Sequence, residues 1–180
     1  MDGLVFPILK TDRLILRALT RDDWEEILFL RSDPGINAFI KRPLPRQTNT
    51  KDQAFEFIER INGKKNTREW LYWCITRKDN PTTIGTICLW NFTSESETAE
   101  LGYDLNPMFQ GQGLMSEAIE KVIHFGFHKL HKLQLEAFTH KNNARSIRLL
   151  NRHGFKENTL RQDPFNSDNR IFERSKNELA

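Results

Sequence analysis

The apolar positions of the chain change period several times, and each change marks an element. Leu14 to Leu16, between Arg13 and Arg17, predict a short strand. Thr20 followed by Asp22 and Asp23 predicts a helix N-cap with an acidic first turn, the anions facing the positive end of the helix dipole. That helix carries Trp24, Ile27, Leu28 and Leu30 inward and stops at Asp33, Pro34 and Gly35. A second helix starts near Thr50, where Gln53 completes a capping-box spacing, and places Ala54, Phe55, Ile58 and Ile61 at helical intervals before Gly63.

The period then shortens. Trp70 to Thr76 and Thr83 to Phe92 are rich in aromatic and β-branched residues and flank Lys78 to Pro81, a hairpin signature. A third strand, Thr98 to Leu105, follows the polar turn Thr93 to Glu97. A long helix runs from about Leu114 to Leu130 with Ala118, Ile119, Val122, Ile123, Phe125 and Phe127 on a broad apolar face. Leu133 to Thr139 reads as a strand, Ala144 to Arg152 as a short helix stopped by Gly154, and Phe155 onward and Ile171 to Ser175 as closing strands. This order predicts an α+β fold, a central sheet with helices packed on its faces.

Composition narrows the class. With 180 residues, 38% hydrophobic and 28% charged, residues 1–180 are expected to form a single domain with a substantial core built on 13 Phe and 4 Trp. Trp24, Trp70, Trp73 and Trp90 sit inside apolar patterns and read mainly as core. The net charge of +3 is scattered rather than gathered into a basic stripe, so direct nucleic-acid binding is not expected. Cys74 and Cys88 fall on neighbouring strand candidates and read as free thiols. His124, His128, His131, His140 and His153 lack a metal-ligand spacing, and no metal is expected. The apolar run Leu4 to Leu9, interrupted by Pro7, falls short of a signal or spanning segment, so a cytoplasmic protein without a membrane partner is expected.

The chemistry concentrates at Gln110 to Ser116. Pro107 helps to end the preceding strand at Leu105, and the chain turns through Gly111 and Gly113 into the long helix. Unpaired amides and the positive dipole end make such a first turn favourable to an anion, and the glycines let the backbone approach it. A plain tight turn would also explain two glycines. A dinucleotide loop would need a glycine at Ser116, and a P-loop would need Gly-Lys-Ser/Thr; both are absent.

Gln110-Gly111-Gln112-Gly113-Leu114-Met115 resembles the Gln/Arg-x-x-Gly-x-Gly/Ala signature of the GNAT superfamily of N-acetyltransferases. Thr11 to Arg17 is similar to the opening of its RimJ/RimL branch, the ribosomal-protein N-acetyltransferase type. Ala99-Glu100-Leu101-Gly102-Tyr103 resembles its fourth strand, and Ser116-Glu117-Ala118 the continuation of its phosphate loop. Asn143 to Ile147 and Gly154-Phe155 resemble its closing motif, so the likeness covers nearly the whole chain. It implies a mixed, mostly antiparallel sheet with helices on both faces and splayed middle strands, and acetyl-CoA as co-substrate. By that resemblance the amides of Gln112 to Ser116 hold the pyrophosphate, with Gln110, Gly111, Gly113, Leu114 and Met115 forming the loop and Leu105 and Asn143 meeting the pantetheine arm. The signature's last position is normally small; Met115 stands there.

The resemblance makes Glu100 the candidate base, against the plainer reading of a solvated strand carboxylate; Glu136 is a weaker alternative, read as solvated or paired. A backbone N–H at or next to Leu105 is expected to meet the developing oxyanion. Many relatives protonate the leaving thiolate from a tyrosine seven residues after the motif asparagine, where this chain has Leu150, leaving Ser146, water or the product ammonium; Ser146 also reads simply as a helix first-turn residue. Holding a lysine amine neutral at pH 7 costs about 4.6 kcal/mol but an α-amine only about 1.4. A protein N-terminal α-amine is therefore the easier acceptor, and the branch resemblance implies that of a ribosomal or other protein, with specificity carried by residues 31–50 and 156–170. A polyamine or aminoglycoside, and a non-catalytic acyl-CoA-binding module, are the alternatives. Members of the branch often form homodimers.

Overall fold

A computed structural model describes residues 6–40, 42, 46–63, 70–92 and 97–179 of the chain. Strands β1 (Leu9–Lys10) and β2 (Leu14–Ala18) lead into helices α1 (Trp24–Ser32) and α2 (Lys51–Gly63), and then β3 (Trp70–Arg77), β4 (Asn80–Trp90) and β5 (Thr98–Leu105). Helix α3 (Leu114–His128), β6 (Gln134–His140), α4 (Ala144–Arg152), β7 (Lys156–Glu157) and β8 (Asn169–Ser175) follow. The strands form a sheet in the order β1-β2-β3-β4-β5-β6-β8-β7, antiparallel throughout except where β5 meets β6. The expected mixed, mostly antiparallel sheet with helices on both faces is what forms.

Strand alternation divides the core in two. Along β3, Leu71, Trp73 and Ile75 join one cluster with α3 and Leu150 of α4, while Tyr72 and Cys74 join another with α1 and α2. This explains why the segment reads as a continuous apolar run: it is covered on both faces. Only Trp73 of the four tryptophans is fully buried; Trp24, Trp70 and Trp90 are half-buried. In α2, Phe57 rather than Phe55 enters the core, because Phe55 packs at the rim against Trp24. Gln53 does cap α2, accepting from Asn49 N–H at 2.7 Å while its own N–H donates to Thr50 Oγ1. The apolar run beginning at Leu4 and the turn at Thr93 to Glu97 lie partly outside the described residues.

Thr20 caps a 3-10 turn, Arg21–Asp23, that precedes α1. Asp23 is buried there and accepts from Arg17 at 2.8 Å through both oxygens and from Thr83 Oγ1 at 2.7 Å, tying β2, β4 and α1 together. Opposite Leu105, β4 is irregular: Ile75 faces Gly85 but Thr76 faces Thr83, so Ile84 is an extra residue. A Cβ at Gly85 would lie 2.5 Å from the Asp104 carbonyl oxygen, so only glycine allows β4 and β5 to close there. Among the described residues, no helix is long and apolar enough to cross a membrane.

Candidate active site

The parallel strands β5 and β6 pair only at Thr98–Gln134, Ala99–Leu135 and Glu100–Glu136. Beyond Glu100 the two strands part, and β6 goes on pairing with β8 as far as His140. The splayed middle strands expected from the sequence are this divergence. β5 presents opposite faces to the two layers: Ala99, Leu101 and Leu105 enter the α3/α4 core with Tyr103 against it. Glu100, Gly102 and Asp104 face the α1/α2 side, where a Cβ on Gly102 would lie 3.0 Å from Cys88 Sγ.

The edge of β5 exposed by this parting carries Leu105. Asn106 N–H donates to Ile84 O at 2.9 Å, toward β4, so strand alternation turns the backbone groups of Leu105 the other way, into the gap. Gln110 Nε2 reaches the Leu105 carbonyl from that side at 3.0 Å, and Gln110 Oε1 accepts from Arg145 Nη1 on α4 at 2.8 Å. The first residue of the signature is thus a bracket across the mouth of the gap.

Gly111 (φ 77°) and Gly113 (φ 76°) are left-handed, as the tight entry to α3 requires. The first helical hydrogen bond runs from Glu117 N–H to Gly113 O at 3.1 Å, and no side chain caps the helix, leaving the amides of Leu114, Met115 and Ser116 at its positive end. Met115 points into the core at 7% exposure, which reconciles a large residue with this loop. Ser116 Oγ pairs with His153 Nε2 at 2.7 Å. Gln112 supports the turn, its side chain donating to Met108 O and its carbonyl accepting from Arg13 Nη1, both at 3.0 Å.

Two motifs distant in sequence meet under the loop. Thr11 Oγ1, Arg13 N–H and Arg13 Nε all donate to the carboxylate of Glu117, in the first turn of α3. Burial opposes the Glu117 charge, but these hydrogen bonds outweigh it and hold the carboxyl below its ordinary range. Thr11 and Arg13 were legible as a motif but not as supports of the loop; the separation of over 100 residues hides that role.

Glu100 is half-buried, and its pKa is pushed up to about 8, first by burial and then by the charges of Glu136 and Asp163. It is therefore not a solvated strand carboxylate. Glu136 is the paired one: Arg161 Nη1 lies 2.7 Å from it and Gln134 Nε2 3.1 Å. Asn143 caps α4, accepting from Ser146 N–H at 3.2 Å. Ser146 Oγ in turn lies 2.9 Å from the Tyr103 hydroxyl, joining α4 to β5. Burial raises the Tyr103 pKa to about 12, and its bond to Ser146 works against that. Leu150, at 0% exposure, is core. Tyr103 escaped the sequence reading because strand alternation gives its face but not the partner on α4.

The thiols are held neutral, and the histidines of α3 form no metal site among the described residues. Burial pushes the Cys74 thiol up to about 12 and the Cys88 thiol higher still. His124 and His128 stack with ring centres 4.4 Å apart on α3, and among the described residues no group of three or more His, Cys, Asp or Glu side chains could hold a metal ion.

This geometry has a counterpart in known proteins. The acetyltransferase (GNAT) domain family matches residues 13–156. The chain belongs to the GNAT acetyltransferases. The uncharacterised N-acetyltransferase YoaA of Bacillus subtilis is 34% identical to this GNAT chain over 159 residues, 88% of each chain. The fold is shared with a ribosomal-protein-S5-alanine acetyltransferase from Vibrio fischeri, at TM-score 0.80 and 17% identity over 97% of this chain and 99% of the other. It is shared also with Mycobacterium smegmatis RimJ, solved in complex with CoA-disulfide, at TM-score 0.80 and 17% identity over 96% and 88%. The structural neighbours thus include RimJ/RimL ribosomal-protein acetyltransferases, in keeping with the branch that the sequence motifs resemble. This GNAT protein is an N-acetyltransferase, and GNAT enzymes use acetyl-CoA.

Proposed function

We propose that the chain moves an acetyl group from acetyl-CoA to the N-terminal α-amine of a protein, with Glu100 as base. What supports this reading is the place of Glu100, half-buried at the last β5/β6 pair before the gap, where burial and then the charges of Glu136 and Asp163 raise its pKa to about 8. An α-ammonium group has a pKa near 8, so passing its proton to Glu100 is close to thermoneutral. From a lysine side chain near 10.4 the same step is uphill by about 3 kcal/mol. What supports residues 1–180 as a single N-acetyltransferase domain is that both core layers share β3.

The loop suits a pyrophosphate. The uncapped amides of Leu114 to Ser116, with those of Gln112 and Gly113 before them, would hold it, and left-handed glycines keep Cβ atoms off its approach. Gln110 and Gly111 shape the entry, Met115 anchors it in the core, and Leu105 and Asn143 flank the path for the pantetheine arm. Acetyl-CoA supplies an activated thioester carbonyl; the chain supplies position and charge control. Glu100, about 16 Å along β5 from Leu105, takes a proton from the amine through intervening water, and the gap-facing N–H of Leu105 donates to the oxygen that gains charge. Ser146, backed by Tyr103, donates a hydrogen bond to the departing sulfur. The thiolate leaves as the C–S bond breaks and takes the second proton that the nitrogen sheds once the C–N bond has formed, because the Tyr103 hydroxyl behind Ser146, at about 12, is too weak an acid to protonate a thiolate whose thiol has a pKa near 8.5.

Release of free thiol from acetyl-CoA tests the reading, with peptides bearing a free N-terminus set against N-terminally blocked peptides containing lysine and against polyamines and aminoglycosides. Acetylation of the free N-termini is expected. Turnover confined to lysine side chains or small amines, or thiol release with no amine at all, would overturn it.

A further inference from the structure

We propose that the acceptor side of the cleft recognises a carboxylate near the amine, so that the favoured acceptor is an N-terminus followed within its first few residues by Asp or Glu. This rests on the N-terminal reading above and concerns side chains that it did not use.

Of the arginines that line the same cleft as Glu100 among the described residues, four come from the α1/α2 layer: Arg31 from α1, Arg60 from α2, and Arg42 and Arg46 from the segment between those helices. Arg31 and Arg60 share the ring of Phe57, their Cζ atoms 3.9 and 5.5 Å from its centre. Arg31 is also fixed by Thr48 Oγ1 at 2.9 Å and the Arg46 carbonyl at 2.8 Å. Such stacking holds the planes of the guanidinium groups while leaving edges available to an anion.

Counter-charge is scarce among the described residues. Asp104 Oδ2 stands 4.0 Å from Arg42 Nη2, a loose pairing, because Oδ1 is taken by Thr86 Oγ1 at 2.6 Å and Thr86 N–H at 3.1 Å. Partial desolvation, then the charges of Arg31 and Arg46, lower the pKa of Arg60, with only Glu56 acting the other way. With Asp104 largely committed to Thr86 and Glu56 the carboxylate that acts on Arg60, these four cations form a surface that an anion would relieve.

Position sets the spacing. Asp104 precedes Leu105 and lies on the face of β5 that carries Glu100, four residues away, or about 13 Å along the strand. Asp104 adjoins Leu105 and stands 4.0 Å from Arg42, so an acceptor whose amine reaches the Leu105 amide carries its next residues past the guanidinium groups. A polyamine or aminoglycoside would bring further positive charge to these arginines, whereas an acidic N-terminal segment brings its amine to the Leu105 amide and its carboxylates to the cluster.

The test compares six-residue peptides identical except that positions two to four carry Asp and Glu, Asn and Gln, or Lys, assayed by thiol release in low and moderate salt. The acidic peptide is expected to exceed the neutral one by about ten-fold in kcat/KM, mostly through KM, and the advantage should shrink as salt rises. Arg60→Gln, at an exposed position where folding should survive, should erase most of the preference, and Arg60→Glu should invert it. Equal use of the three peptides, or a preference untouched by both variants, would overturn the proposal while leaving N-terminal acetylation in place. Calorimetric binding of the already acetylated acidic peptide separates the two readings. If it binds wild type ten-fold more tightly than Arg60→Gln while no free N-terminus turns over, the anion subsite stands and the N-terminal reading falls.

Discussion

Replacing Glu100 with Gln removes a carboxyl that the fold keeps protonated near neutral pH and preserves its size. The displacement from its ordinary 4.5 to about 8 corresponds to about 4 to 5 kcal/mol at about 1.36 kcal/mol per pKa unit. Glu100 is only half-buried, so screening by water brings the expected figure down to about 2 kcal/mol. The sign follows from proton counting. Below about pH 4.5 both the folded and the unfolded chain hold the proton, and the group does not affect stability. Between there and about pH 8 the unfolded chain ionises first, the folded state binds more protons, and stability falls as pH rises. Above about pH 8 both are ionised and the loss is complete. Gln cannot ionise, so Glu100→Gln should match wild type near pH 5 and exceed it near pH 9 by about 2 kcal/mol, or about 4 to 8 °C in melting temperature. Thermal unfolding across that pH range measures this, and thiol release on the same samples should show turnover reduced by about a hundred-fold or more. A variant no more stable than wild type at pH 9 would refute the burial argument. Greater stability with undiminished turnover would instead remove Glu100 from the proton transfer.

Three other outcomes follow from the site. With an α-amine acceptor, kcat/KM should rise with pH and level off above about 8, because Glu100 must lose its own proton before it can take one; a flat profile from pH 6 to 9 would contradict the role. Tyr103→Phe should cost about 1 kcal/mol of stability through its lost bond to Ser146 and slow thiol release with little change in acetyl-CoA affinity, which single-turnover kinetics and calorimetric titration together would check. Gly113→Val forces a β-branched residue to φ 76°, so a loss of about 1 to 2 kcal/mol and at least ten-fold weaker acetyl-CoA binding are expected; unchanged affinity would sink the loop assignment.

Much of the fold was legible because its signals are local. The bounds of β5 and α4, and the left-handed stop at Gly154, follow from strand alternation, helical spacing and glycine. The helix predicted to about Leu130 ends two residues earlier: Lys129 and Leu130 both turn their N–H groups to Phe125 O, which closes α3 at His128. The two-residue β1 escaped notice because it is too short to show a period and exists only by pairing with Leu16 and Ile15. In α2, helical spacing admitted either Phe55 or Phe57, and only the position of Tyr72 beneath the helix, its ring 5.5 Å from that of Phe57, chose between them.

The segment Gln110 to Ser116 by itself implies a left-handed turn with unpaired amides, which an anion site and a plain tight turn would share. The sequence likewise determined the family, the order of elements and Glu100 as a residue of interest. Tertiary structure decided what lies across each gap. It half-buried Glu100 and set Glu136 and Asp163 near it, and so raised its pKa, placed Tyr103 against Ser146 where Leu150 had gone to the core, and brought Thr11 and Arg13 to Glu117. It also gathered arginines from two helices and the segment between them around one face of β5. Dihedral preferences and periodicity act within a few residues and are written in order along the chain. Burial and charge depend on neighbours that only the packed sheet brings within a few ångströms.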